Sequence, residues 1–132
     1  MTENAMVGIV LISHSRAIAE GAADLAAQVS AGAVRVVGVG GTDDGRLGTS
    51  IDALSSAVDK VSAGAGVVVI PDLGSAVLTV KAYLADADAT DIVIADGPFV
   101  EGAVAAAVTA SAGAALDEVV AAAEGARDVR KL

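Results

Sequence analysis

The 132-residue chain has one histidine, His14, and it stands in Ser13-His14-Ser15, where an apolar run stops and an amphipathic one starts. A carboxylate accepting a hydrogen bond from one imidazole nitrogen fixes the tautomer and leaves the other nitrogen's lone pair free to attack an electrophile. The carboxylate in a comparable position is Asp72, in Pro71-Asp72-Leu73-Gly74-Ser75, which also follows an apolar run. If the two runs are neighbouring strands, His14 is a nucleophile oriented by Asp72. Ser13 and Ser15 are then small flanks that leave the ring accessible. The plainer alternative makes His14 a strand-end residue with a local hydrogen bond, and Asp72 to Ser75 a helix cap.

The surroundings suggest which group such a histidine would take. Ser15 and Gly74-Ser75 each open a predicted helix, so two helix N-termini direct free N–H groups and positive dipole ends at the space around His14. Gly74 lets the backbone come close and Ser75 adds a hydroxyl. This makes an anion hole in an acidic protein, and a phosphoryl group suits it. Gly48-Thr49 either brings a third N-terminus to that group or simply caps its own helix. Arg46 either shields phosphate charge or is solvated. Glu101, after Pro98, reads as a first-turn helix acid.

Composition narrows the classes. Eight Lys and Arg against 17 Asp and Glu give a net charge of −9, with the acids spread along the chain. Such a surface repels nucleic acid and anionic lipid, which cationic side chains bind. The chain has no cysteine, which removes disulfides, thiolate metal sites and cysteine nucleophiles, and fits an intracellular setting. The early VGIVLI is too short for a signal peptide core and follows Glu3 instead of a basic segment. The uncharged stretch from Gly102 to Leu116 is shorter than the roughly 20 residues a membrane helix needs. A soluble, cytoplasmic protein is expected, with 1–132 forming a single domain.

The elements that must position these residues recur along the chain. Four nearly continuous apolar runs lie at 7–12, 34–39, 66–70 and 91–95, the pattern of strands covered on both faces. Between them, Ile18, Ala22, Leu25 and Val29 form one predicted helix stripe, and Ile51, Leu54, Val58 and Val61 a second. Thr49 or Ser50 caps the second helix; Gly32 and Gly64 suit left-handed helix ends. A third helix is predicted from about Ser75 to Leu84, and Pro98 opens a fourth. A fifth, after Gly113, turns Leu116, Val119, Val120 and Ala123 inward. The terminal MTEN and RKL are expected to fray. The alternation predicts a doubly wound, mainly parallel four-stranded α/β sheet in the order 2-1-3-4 with helices on both faces, whose ligands bind beyond the carboxyl ends of the strands.

The motifs LISHS, GTDDGRLGTS, PDLGSAVLTVK and PFVEGAVAAAV occur in the order and spacing of the mannose-type enzyme IIA family of the sugar phosphotransferase system. The chain resembles in particular the phosphotransfer subunits of phosphoenolpyruvate-dependent dihydroxyacetone kinases, from about Val7 to Val120. The resemblance implies that His14 is phosphorylated by the histidine-containing phosphocarrier protein and Asp72 orients it. Phospho-His14 would then re-phosphorylate ADP in the kinase's nucleotide-binding subunit, and the ATP formed would phosphorylate dihydroxyacetone in a third subunit. Gly74, Ser75 and Thr49 fall where the family lines its active-site edge. The resemblance further implies a homodimer, a site without metal, and no cofactor in this chain, ADP or ATP and Mg being held by the partner subunit. Pro71 departs from the family, where an aliphatic strand residue is expected, and a shift of the Asp72 backbone would follow from it.

Other readings fit less of the sequence. A serine hydrolase lacks the G-x-S-x-G elbow, and neighbouring strand residues point to opposite sides. A response-regulator receiver needs acidic residues where Ser13-His14-Ser15 stands. A histidine phosphatase needs flanking arginines and a second histidine. A tetrapyrrole metal chelatase shares a strand-end histidine followed by Arg16, and would draw further ligands from Asp72, Asp96 and Glu101. An enzyme IIA component for a mannose-class sugar and a non-catalytic interaction module of the same fold complete the alternatives.

Overall fold

The β-branched runs form four strands, β1 (Gly8–Ser13), β2 (Val36–Gly40), β3 (Val67–Pro71) and β4 (Ile92–Ile94). They come from a computed structural model that describes residues 5–87 and 89–132. All pairings are parallel and the order is β2-β1-β3-β4, as the alternation predicts. Leu11 pairs with Gly38 on one side and Ile70 on the other, so β1 and β3 lie side by side at the switch point.

Among the described residues five α-helices cover the sheet: α1 (Arg16–Val29), α2 (Ile51–Val61), α3 (Gly74–Ala87), α4 (Phe99–Ser111) and α5 (Leu116–Gly125). Successive strand residues point to opposite faces, and the core divides accordingly. Ile9, Leu11, Val68 and Ile70 pack with α1, α4 and α5, whereas Val10, Ile12, Val67 and Val69 pack with α2 and α3. β1 and β3 are buried along their whole length, which explains their unbroken apolar sequence.

Of the predicted α1 stripe, Ala22 is buried as expected and the three larger residues are not. Ile18, Leu25 and Val29 are 54%, 44% and 48% exposed, and Ala19, Ala23 and Ala26 join Ala22 in facing inward. The cause lies in β2. A Cβ at Gly38 would sit 2.2 Å from the Ala19 carbonyl oxygen, and one at Gly40 would sit 2.6 Å from that of Ser15. The α1 backbone therefore rests almost directly on the strand, leaving room only for alanine between them. In α2, Leu54, Val58 and Val61 are buried as predicted but Ile51, in the first turn, is 46% exposed. Ser50, not Thr49, caps this helix, accepting from the Ala53 N–H at 3.2 Å.

Gly32 and Gly64 take positive φ where helix ends were expected. Helix α3 begins one residue earlier and ends three later than its sequence reading. Pro98 is the N-cap of α4, and Val119 and Ala123 of α5 are buried with Leu116 and Val120 packed beside them. The expected fraying of MTEN concerns residues outside those described. At the other end RKL is exposed but tethered, since Lys131 Nζ lies 3.1 Å from Glu101 Oε2. No described helix is long and apolar enough to cross a membrane.

Candidate functional site

The register places Ile12 opposite Pro71, so the residues immediately beyond each strand emerge together. Asp72 is held at the sheet edge by its own N–H, which donates to the Ile12 carbonyl at 3.1 Å. Pro71 does not disturb this. Along β3 the N–H groups alternate between neighbours, and the one proline lacks would point toward β4, whose paired segment ends at Ile94.

Asp72 accepts four hydrogen bonds. Oδ1 receives His14 Nδ1 at 3.0 Å and the Leu73 N–H at 2.7 Å; Oδ2 receives Ser13 Oγ at 2.8 Å and the His14 N–H at 3.1 Å. Burial alone would raise the carboxyl's pKa. The bonds from Ser13, His14 and Leu73 outweigh it and hold the group below its ordinary value of 3.8. An ionised carboxylate only accepts, so Nδ1 carries the proton and Nε2 presents its lone pair. Nε2 meets the Ser75 hydroxyl, which donates to it. With the His14 side chain 23% and that of Asp72 14% exposed, the ring edge is accessible while its anchor is sheltered.

Two helix starts flank the ring. Ser15 caps α1, taking the Ile18 N–H on Oγ at 3.3 Å, while its own N–H donates to Ser13 Oγ at 3.0 Å. The N–H groups of Arg16 and Ala17, in the first turn of α1, have no partner within that helix, nor have those of Gly74 and Ser75 at the start of α3. A Cβ at Gly74 would meet no atom within 4 Å, so this glycine is not required by close protein packing.

The loop after β2 forms the other wall. It encloses a depression of about 760 Å³ lined by His14, Ser15, Arg16 and residues 40–47. The Gly48 N–H donates to the His14 carbonyl at 2.9 Å, and Gly48 itself has φ +144°, a conformation few other residues adopt. Thr49 Oγ1 lies 2.6 Å from Thr79 Oγ1, so its hydroxyl ties the start of α2 to α3. Arg46 is folded back onto Asp44, 2.9 Å from Nη2 to Oδ2, and its side chain is 82% exposed. Asp96 pairs with Arg127 and Glu101 with Lys131 at the α4 and α5 side. No group of three or more metal-ligating side chains occurs among the described residues.

Ser13 is the residue the sequence reading undervalued. It is not a small flank but a fully buried serine whose hydroxyl links Asp72 to the first turn of α1. A polar residue in the last position of an otherwise apolar strand, directly before the histidine, was the available signal.

These features define a doubly wound α/β domain with a single carboxylate-oriented histidine at the carboxyl edge of its central strands. The family model EIIA-man, the PTS system fructose IIA component, matches residues 8–120. The chain is 36% identical over 107 residues to "PEP-dependent dihydroxyacetone kinase 2, phosphoryl donor subunit DhaM" of Listeria innocua, covering 78% of this chain and 85% of that protein. It is 33% identical over 121 residues to "PEP-dependent dihydroxyacetone kinase, phosphoryl donor subunit DhaM" of Providencia stuartii, covering 87% of this chain but only 25% of that longer protein. A crystal structure of the unknown function protein EF1359 superposes with a TM-score of 0.78 at 28% identity, over 91% of this chain and 94% of that one. The chain belongs to the mannose-type enzyme IIA family of the phosphotransferase system.

Proposed function

We propose that this chain is a phosphoryl relay for a dihydroxyacetone kinase. The observation that carries the reading is the His14 ring, bound at Nδ1 to Asp72 and presenting Nε2 at the sheet edge. The donor is the phosphohistidine of the histidine-containing phosphocarrier protein. The Nε2 lone pair forms a bond to phosphorus as the donor's phosphorus–nitrogen bond breaks, its electron pair returning to the donor imidazole. The ring then carries positive charge, which the Asp72 carboxylate balances through the Nδ1 proton. In the second transfer a terminal oxygen of ADP, held with Mg in the nucleotide-binding subunit, attacks phosphorus and the electron pair returns to Nε2. The protonated, hydrogen-bonded ring is a good leaving group in both directions, as a relay requires.

In this reading the unpartnered N–H groups of α1 and α3, with Ser15, Gly74 and Ser75, hold the transferred group. Thr49 contributes by bracing α3 through Thr79. Ser75 must release Nε2 before the phosphoryl group arrives, after which its hydroxyl can serve a phosphoryl oxygen. The chain itself holds neither nucleotide nor metal, works in the cytoplasm and pairs with a second copy of itself. The names carried by the Listeria and Providencia relatives favour dihydroxyacetone kinase over a mannose-class sugar as destination.

Reconstitution tests this. With phosphoenolpyruvate, enzyme I, the phosphocarrier protein and the two other kinase subunits, dihydroxyacetone phosphate should form only when this chain is present. The His14→Ala variant should abolish it. Product formation that survives His14→Ala, or formation of a sugar phosphate but no dihydroxyacetone phosphate, would contradict the proposal.

A further inference from the structure

Ser13 and Ser30 are the buried polar residues among those described, and they differ in kind. Ser30 returns its hydroxyl to the carbonyls of Ala26 and Ala27, the local bond expected at a helix end. Ser13 instead reaches across 59 residues of sequence to Asp72 Oδ2 at 2.8 Å, and its oxygen accepts the Ser15 N–H at 3.0 Å. Of the four donors on Asp72, two are backbone N–H groups and one is the His14 ring itself. Ser13 therefore supplies the one side-chain bond to the carboxylate that the histidine does not make.

We propose that Ser13 is a positioning residue of the relay: its hydroxyl fixes Asp72 Oδ2 so that Oδ1 stays aligned with His14 Nδ1, and it couples that alignment to the first turn of α1. The proposal rests on His14 being the phosphoryl acceptor. With Oδ2 held by Ser13 and the His14 N–H, the carboxylate cannot rotate about its terminal bond without losing donors on both oxygens. The Ser15 N–H, pointing at Ser13 Oγ, polarises the hydroxyl and strengthens its bond to the carboxylate. The same serine residue pair thus fixes the ring's anchor on one side and the α1 N-terminus that flanks the ring on the other. The anchor and the anion-binding turn move as one body.

The charged groups around Asp72 are few. His14 touches it; Lys81 and Asp96 line the groove beyond β3 and β4; Arg16, Asp43, Asp44 and Arg46 line the depression on the far side of the ring. Among the described residues no lysine or arginine contacts the carboxylate, whose donors are Ser13, the His14 ring and two backbone N–H groups, so removing the Ser13 hydroxyl should be read directly in its titration.

The test compares wild type, Ser13→Ala and Ser13→Thr by the rate of phosphoryl uptake from the phosphocarrier protein and by carbon-13 titration of the Asp72 carboxyl. Loss of one hydrogen bond to a charged group should slow uptake in Ser13→Ala roughly tenfold and raise the Asp72 inflection. Ser13→Thr, which keeps the hydroxyl, should retain the low inflection. An Ala variant with wild-type rate and titration overturns the proposal, as does a Thr variant that titrates like the Ala one. Should the Ala variant not fold, Ser13→Thr decides: a folded Thr variant with a raised Asp72 inflection and slowed uptake overturns the proposal. A wild-type chain that takes up no phosphoryl group refutes the relay itself; a phosphorylated wild type with an indifferent Ser13→Ala refutes only the role of Ser13.

Discussion

Replacing Asp72 by asparagine changes one atom's chemistry and leaves the shape intact. Each carboxylate oxygen accepts one backbone N–H, from Leu73 on Oδ1 and from His14 on Oδ2. An amide has one acceptor oxygen, so in either orientation its NH2 group confronts a backbone N–H that cannot reverse. If the NH2 takes the Oδ1 place it also faces His14 Nδ1, which must then accept. The ring proton moves to Nε2, the atom proposed to attack phosphorus. If the NH2 takes the Oδ2 place, the ring keeps its tautomer but loses the negative charge that balances the phosphorylated imidazolium. One unsatisfied, partly buried N–H costs about 1–3 kcal/mol of stability. The wrong tautomer or the lost charge should cost on the order of 10²–10⁴ in rate, the scale known for amide substitution of a histidine-orienting aspartate. Rapid-quench phosphorylation read by intact mass, with urea unfolding on the same samples, measures both. A folded Asp72→Asn chain phosphorylated within about threefold of the wild-type rate would refute the reasoning.

Further expectations follow from other contacts. Ser75→Ala removes the hydroxyl at Nε2 from an exposed position; it should slow phosphoryl uptake roughly tenfold while moving stability by under about 0.5 kcal/mol in urea titration. Gly40→Ala drives a Cβ to 2.6 Å from the Ser15 carbonyl oxygen and 2.8 Å from that of Ser13, and should cost about 3 kcal/mol by thermal unfolding as α1 is pushed from the sheet. Because the folded Asp72 pKa lies below 3.8, its contribution to stability is complete above that pH and is lost as pH falls through the folded value; Asp72→Asn should show a flatter acid limb in unfolding midpoints. Burial and the Asp59 charge raise the pKa of Tyr83, the chain's one tyrosine, above 10.0 despite a bond from Ser55. Its phenolate absorbance should rise in a single step above that pH, and stability should fall over the same interval.

The strands and their order were legible because parallel strands buried on both faces leave continuous β-branched runs, and because short alternating elements admit few topologies. With the order known, the approach of His14 to Asp72 followed from two strand ends. What the sequence hid was the α1 interface. Ile18, Leu25 and Val29 make a better apolar stripe than four alanines, and only the glycines of another element, Gly38 and Gly40, show why the alanines win. Thr49 and Ser50 were indistinguishable as caps until Thr79 on α3 claimed the Thr49 hydroxyl. Ser13 was passed over because alternation along a strand says which way a side chain points but not that a carboxylate waits there. The α3 boundary shifted outward because Ala85, Asp86 and Ala87 carry no breaking signal.

The central claim is that Nε2 of His14 carries the phosphoryl group. After incubation with phosphoenolpyruvate, enzyme I and the phosphocarrier protein, intact mass should rise by about 80 Da. Phosphorus–nitrogen coupling in the nitrogen-15-labelled protein should place that group on Nε2, with Nδ1 still protonated toward Asp72. No mass increase, a modified His14→Ala chain, or coupling to Nδ1 would contradict the account.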